Sequence, residues 1–74
     1  MTIKDMQVGQ RGKVARILKG STAERRLFEI GIVPGVMVKL LSRHPFQGPL
    51  LLEIGNARIA LGRKIAASVE VEME

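Results

Sequence analysis

Arg26-Leu27-Phe28-Glu29-Ile30-Gly31-Ile32-Val33-Pro34-Gly35 is the stretch on which the fold of this chain turns. It reads as the end of a short helix, a glycine stop, one apolar residue and a Pro-Gly turn into a strand. Gly31 suits the left-handed position that follows a helix, and Ile32 supplies the apolar contact that closes such a cap. Pro34 and Gly35 stand in the order a type II turn wants. Just upstream, Ser21-Thr22-Ala23-Glu24 is a capping box, in which Ser21 accepts from the Glu24 amide while Glu24 reaches back. The helix this box opens places Ala23, Leu27 and Ile30 on one inward stripe and turns Arg25, Arg26 and Glu29 to solvent. Phe28, beside the stripe, is read as core.

Outward from this segment the apolar period changes to two. Val36, Val38 and Leu40 share one face, with Met37 and Lys39 opposite; Leu50, Leu52 and Ile54 share another. Gly55-Asn56 offers a tight hairpin turn into the alternation of Ala57, Ile59 and Leu61. Val69, Val71 and Met73 against Glu70 and Glu72 make the clearest alternation of the chain, and Gly62 to Ala66 reads as a single helical turn before it. Towards the N-terminus, Gly9 and Gly12 punctuate a turn ahead of a strand over residues 13–18. There Val14 and Ile17 fall on opposite faces, which a twist or a bulge would reconcile. About five short strands, one short helix after the first and a one-turn helix before the last describe a mainly β fold, a small SH3-like barrel.

The 74 residues make a single domain, 1–74, and a core of this size is thin. The chain has no cysteine, which excludes disulfides and thiolate metal sites. It holds no apolar run of membrane-spanning length and no signal-peptide core, so a cytoplasmic protein is expected. The formal net charge is +5, unevenly spread. Arg11, Lys13, Arg16, Lys19, Arg25 and Arg26 fall within residues 11–26 against Glu24 alone, whereas Glu70, Glu72 and Glu74 make the tail acidic. A basic face of this kind attracts nucleic acid, an acidic protein surface or an anionic membrane leaflet.

Arg26-Leu27 with Glu29-Ile30-Gly31-Ile32-Val33-Pro34-Gly35, followed by Pro45-Phe46 and Gly48-Pro49-Leu50, resembles the FeoA family of bacterial ferrous iron uptake. Gly9, Gly12, Val14, Ile59-Ala60-Leu61, Ala66, Val69 and Val71 extend the match over residues 5–72. The resemblance implies an SH3-like fold and a stand-alone accessory protein of FeoB, the membrane iron transporter with a cytosolic G-protein domain. The same domain type also forms the C-terminal module of metal-dependent repressors, which leaves a detached module of that kind as an alternative. Gln47 departs from the pattern, standing where the family often has the first glycine of a Phe-Gly-Gly-Pro loop. If that glycine uses positive φ, Gln47 strains or reshapes the loop.

Candidate contacts for the transporter's cytoplasmic part are Arg26, Glu29, Arg43, Phe46, Gln47 and Pro49. Phe46, between two prolines, is read either as a lid folded over the barrel or as an aromatic anchor at an interface. An exposed Arg26 beside a G domain also raises the reading of an arginine that stabilises phosphoryl charge. His44 has no second histidine or cysteine to join it, and no metal, cofactor or catalytic residue is assigned. Catalysis is not expected: Ser21 serves as a cap, and no acid–base pair has useful spacing. A basic barrel that binds nucleic acid is the other alternative, but with two Phe and no Tyr or Trp it lacks stacking surface, and no nucleic acid partner is expected. An anionic membrane surface is a second candidate partner, and a homo-oligomer stays open.

Overall fold

Strand β1 (Arg11–Ile17) lies between β2 (Met37–Arg43) and β5 (Val69–Met73), while β3 (Leu50–Ile54) and β4 (Ala57–Leu61) continue the sheet beyond β2. The computed structural model describes residues 1–18 and 23–74. The strand order is β4-β3-β2-β1-β5 and every pairing is antiparallel. Helix α1 (Glu24–Glu29) is inserted between β1 and β2, and the one-turn α2 (Arg63–Ala66) precedes β5. A 3-10 turn over Ile3–Asp5 opens the chain. The extents of 27 × 25 × 22 Å are nearly equal, as a curled sheet gives and a flat one does not. This is the mainly β, SH3-like arrangement that the alternating pattern leads one to expect.

Two bulges help the sheet to curl. Val14 faces Val71 and Arg16 faces Glu70, leaving Ala15 as the extra residue; this reconciles the inward Val14 with Ile17. A second irregularity, between Leu40 and Ser42 where β2 meets β3, has no mark in the sequence pattern. Gly12 does not belong to the turn before β1, as the sequence suggests, but to the strand itself. A Cβ there would lie 3.2 Å from the Cβ of Val71, so the glycine allows β1 and β5 to close on each other. The turn is made by Gly9 at φ 92°, with the Gln10 N–H donating to the Gln7 carbonyl.

The inner face of the sheet buries Val14, Val38, Leu40, Leu50, Leu52, Leu61, Val69 and Val71. Ile3 and Met6 from the N-terminal segment, Ala23 at the start of α1, Leu27 and Ala66 from the two helices, and Ile32 complete one cluster with them. Each fully buried aliphatic contributes about 1.5–3 kcal/mol relative to exposure.

The end of α1 follows the expected glycine cap. The Ile32 N–H donates to the Leu27 carbonyl and the Gly31 N–H to that of Phe28, with Gly31 at φ 91°. Val36 N–H then closes on the Val33 carbonyl around Pro34-Gly35, with Gly35 at φ 97°, in a type II turn. Two side chains depart from expectation. Ile30 is 38% exposed and Phe28 71% exposed, so neither belongs to the core. The chain leaves the helix at Ile30 and reverses at Gly31, so that Ile32 packs inside beside Leu27 in Ile30's stead. Phe28, one step of about 100° around the helix from Leu27, is left on the outer surface. The Ser21–Glu24 capping box lies outside the described residues.

Candidate functional site

Between β2 and β3 the chain crosses His44-Pro45-Phe46-Gln47-Gly48-Pro49. The His44 N–H donates to the Pro49 carbonyl at 3.2 Å and the Gly48 N–H to the Pro45 carbonyl at 3.2 Å, closing a hairpin around Phe46 and Gln47. Both central residues have positive φ, 58° and 61°, as type I′ turns require. L-residues adopt this region at a cost of about 1–2 kcal/mol each. Gln47, where the sequence departs from the expected glycine, is thus itself in the left-handed conformation. Phe46 at the tip is 99% exposed, which excludes the lid reading. Its conformation is set by the backbone rather than by packing.

Arginines tie this loop to its surroundings. Arg63 of α2 donates through Nε to the Gly48 carbonyl at 3.0 Å and through Nη2 to the His44 carbonyl at 3.5 Å. Arg43, at the end of β2, donates through Nη2 to the carbonyls of Lys4 (2.8 Å) and Met6, and so clamps the N-terminal turn. Its Nη2 is therefore engaged by the N-terminal turn. Between the N-terminal turn, the loop and α2 lies a groove of about 460 Å³ lined by Lys4, Gln47, Arg63, Lys64 and Ala67. Lys4, Arg63 and Lys64 were not apparent as site residues from sequence, since nothing in their spacing relates residue 4 to residues 63 and 64. The Arg63-Lys64 pair ahead of the last strand was the available signal.

Arg26 and Glu29 lie on the other candidate surface, the outer side of α1 and its exit, with Phe28 and Ile30 exposed between them. Glu29 also meets Arg25 at 3.7 Å, one helical turn away. No hydrogen bond or ion pair among the described residues joins this surface to the Phe46 loop. The predicted contacts therefore fall into two groups: Arg26 and Glu29 on α1, and Arg43, Phe46, Gln47 and Pro49 at the loop.

The charge distribution differs from what the linear sequence suggests. Arg11, Lys13 and Arg16 of β1 run alongside Glu70, Glu72 and Glu74 of the neighbouring chain end. Arg16 meets Glu70 at 3.1 Å, Arg11 meets Glu74 at 3.6 Å, and Lys13 is the register partner of Glu72. The basic strand and the acidic tail thus neutralise each other. Lys39, Glu53 and Arg58 alternate in sign across β2, β3 and β4. By contrast Arg43, Arg63 and Lys64 gather around the loop and groove without a carboxylate partner among the described residues.

Among the described residues no polar or charged side chain is buried, and no three His, Asp or Glu side chains come together as metal ligands. His44 is exposed on the loop. Asp5 is held below its ordinary carboxylate value by hydrogen bonds from the Thr2 backbone first and then its hydroxyl. No helix among the described residues is long and apolar enough to cross a membrane.

Comparison with known proteins places these features in a family. The FeoA domain model matches residues 1–73. A curated Porphyromonas gingivalis (strain ATCC BAA-308 / W83) protein, a fusion of Fe(2+) transport protein A with the Fe(2+) transporter FeoB, is 25% identical over 73 residues. That match covers 99% of this chain and 9% of the fusion protein, so the chain spans under a tenth of that relative's length. A crystal structure of an iron uptake regulatory protein, FeoA, superimposes with a TM-score of 0.90 at 32% identity, covering 100% of this chain and 97% of the other. The FeoA of Stenotrophomonas maltophilia, a prokaryotic SH3 domain protein complexed with zinc, gives a TM-score of 0.83 at 29% identity, covering 97% and 89%.

Proposed function

The chain belongs to the FeoA domain family, and from that premise we propose that it is a cytoplasmic accessory protein of ferrous iron uptake that docks on the cytoplasmic part of a FeoB-type transporter and modulates transport. One observation carries the choice of surface: Phe46, 99% exposed at the tip of a loop whose backbone is fixed by its own hydrogen bonds and by Arg63. An aromatic presented by a pre-ordered loop loses little conformational freedom on binding and suits an interface anchor. The fusion of the two proteins in the Porphyromonas gingivalis relative supports FeoB as the partner. Arg26, Glu29 and the exposed Phe28 offer a second contact area at the α1 exit.

The role is one of binding rather than catalysis. Among the described residues, Thr2, Ser42 and Ser68 are half-buried, His44 is exposed, and none belongs to a buried acid–base pair of the kind that general acid–base work uses. The test is a pull-down from membranes of the native cell. Wild-type protein is expected to recover the polytopic G-domain transporter, and Phe46→Ala or Phe46→Asp, with circular dichroism unchanged, to lose it. Retention by both variants refutes the loop as the docking surface. GTP turnover by the transporter's G domain, with wild type and with Arg26→Ala, separates docking from participation in hydrolysis; equal rates with and without either protein dismiss an arginine acting on phosphate.

A further inference from the structure

The groove beside the Phe46 loop shows what kind of segment the partner presents there. Its lining includes Lys4 from the N-terminal turn and Arg63 and Lys64 from α2, with Gln47 and Ala67, and no carboxylate. Arg63 is fixed by the neutral carbonyls of Gly48 and His44, so its charge stays uncompensated. The carboxylate nearest in sequence, Asp5, is held chiefly by the backbone and hydroxyl of Thr2 at 3.0 and 3.1 Å, with Lys4 a lesser influence on it. Elsewhere the cations of β1 face the carboxylates of β5 and the following residue, and those of α1 stand among Glu24 and Glu29. Positive potential is therefore focused in this concave site, and the exposed Phe46 immediately precedes Gln47 of its lining.

We propose that this groove receives an acidic segment of the protein partner, with its carboxylates meeting Lys4, Arg63 and Lys64 and its apolar residues covering Phe46; the inference rests on the docking reading above. At about 460 Å³ the groove is far larger than a single tetrahedral anion and accepts several side chains. Being concave, it does not suit a flat membrane surface. It also has no aromatic among its lining residues on which a nucleobase would stack.

Two measurements on the whole chain test the proposal. In the first, a capped peptide of six glutamates is titrated into isotopically labelled protein. The largest amide shifts are expected at Lys4, Gln47, Lys64 and Ala67, and the affinity is expected to fall about tenfold or more in Lys4→Glu/Lys64→Glu and with rising salt. Shifts scattered over the surface, or unchanged affinity in the double variant, overturn the proposal. So does the same shift pattern with inorganic phosphate alone, which identifies a small-anion site. Phosphatidylglycerol vesicles that bind wild type and not the double variant identify a leaflet site and also overturn it.

In the second measurement, the purified cytoplasmic domain of the transporter is the probe. Loss of binding in both Phe46→Ala and Lys4→Glu/Lys64→Glu supports groove and loop together. Loss in Phe46→Ala with full binding by the double variant leaves the docking reading standing and refutes the acidic segment. Failure of the wild-type protein to bind refutes the docking reading and this proposal with it.

Discussion

The Nε of Arg63 donates to the carbonyl oxygen of Gly48 at 3.0 Å, linking the turn before the last strand to the loop between the second and third. The two residues are far apart in sequence, so the bond fastens the loop from outside its own hairpin. Arg63→Ala is expected to lower stability by about 1–2 kcal/mol, because a charged donor is lost from a part-buried carbonyl. Urea unfolding reads the change. Arg63→Lys keeps the charge but not the Nε–H, and should recover little of the loss.

Gly48 also meets the start of the loop. A Cβ on it would stand 2.8 Å from the Cβ of His44 and 3.2 Å from the Pro45 carbonyl oxygen. Gly48→Ala is therefore expected to cost about 1–3 kcal/mol through overpacking against backbone-fixed atoms. The signature is coupling: in a His44→Gly background, where the opposing Cβ is gone, the same substitution should cost markedly less. A thermodynamic cycle of the four proteins measures this, and an additive result refutes the close approach as the cause.

Gln47 holds φ 61° without the freedom of glycine. Gln47→Gly removes a left-handed penalty of about 1–2 kcal/mol and adds unfolded-state entropy worth about 0.5–1 kcal/mol. A net gain of about 0.5–1 kcal/mol in chemical denaturation is expected. A loss would mean that the Gln47 side chain contributes more to the folded loop than its backbone costs.

The Asp5 carboxyl titrates below its ordinary value of 3.8, chiefly because the Thr2 N–H and then the Thr2 hydroxyl donate to the ionised form. A lowered folded-state pKa stabilises the fold above the unfolded-state value, and this contribution disappears as pH falls through the lowered one. Carboxyl-carbon NMR should give an Asp5 midpoint under 3.8. Thr2→Val removes the hydroxyl but not the backbone donor, so the midpoint should rise only part of the way.

Much of the barrel is legible because its determinants are local. Gly31 and Pro34-Gly35 each demand a particular backbone conformation, and the structure supplies it at each. Val69-Glu70-Val71-Glu72-Met73 announces its two faces by strict alternation, and the structure buries Val69 and Val71. The fates of Phe28 and Ile30 are not legible in this way. In a helix of only six residues, the reversal at Gly31 decides which apolar side chain follows Leu27 inward, and Ile32 takes that place. The bulge at Leu41 leaves no trace because Leu40 and Leu41 are both apolar. The loop was recognisable as a candidate site from Pro45, Phe46 and Pro49. Its groove was not, because Lys4 and Lys64 become neighbours only when the N-terminal turn packs beside α2.

Because β5 sets its carboxylates against the cations of β1, the basic character of the chain is not a uniform coat but an electric dipole. Among the described residues its positive end is the groove lined by Lys4, Arg63 and Lys64. A negatively charged body therefore exerts a torque on the molecule before touching it, over a range of about 10 Å at 0.1 M salt. Such a torque turns the Phe46 loop toward the negative body.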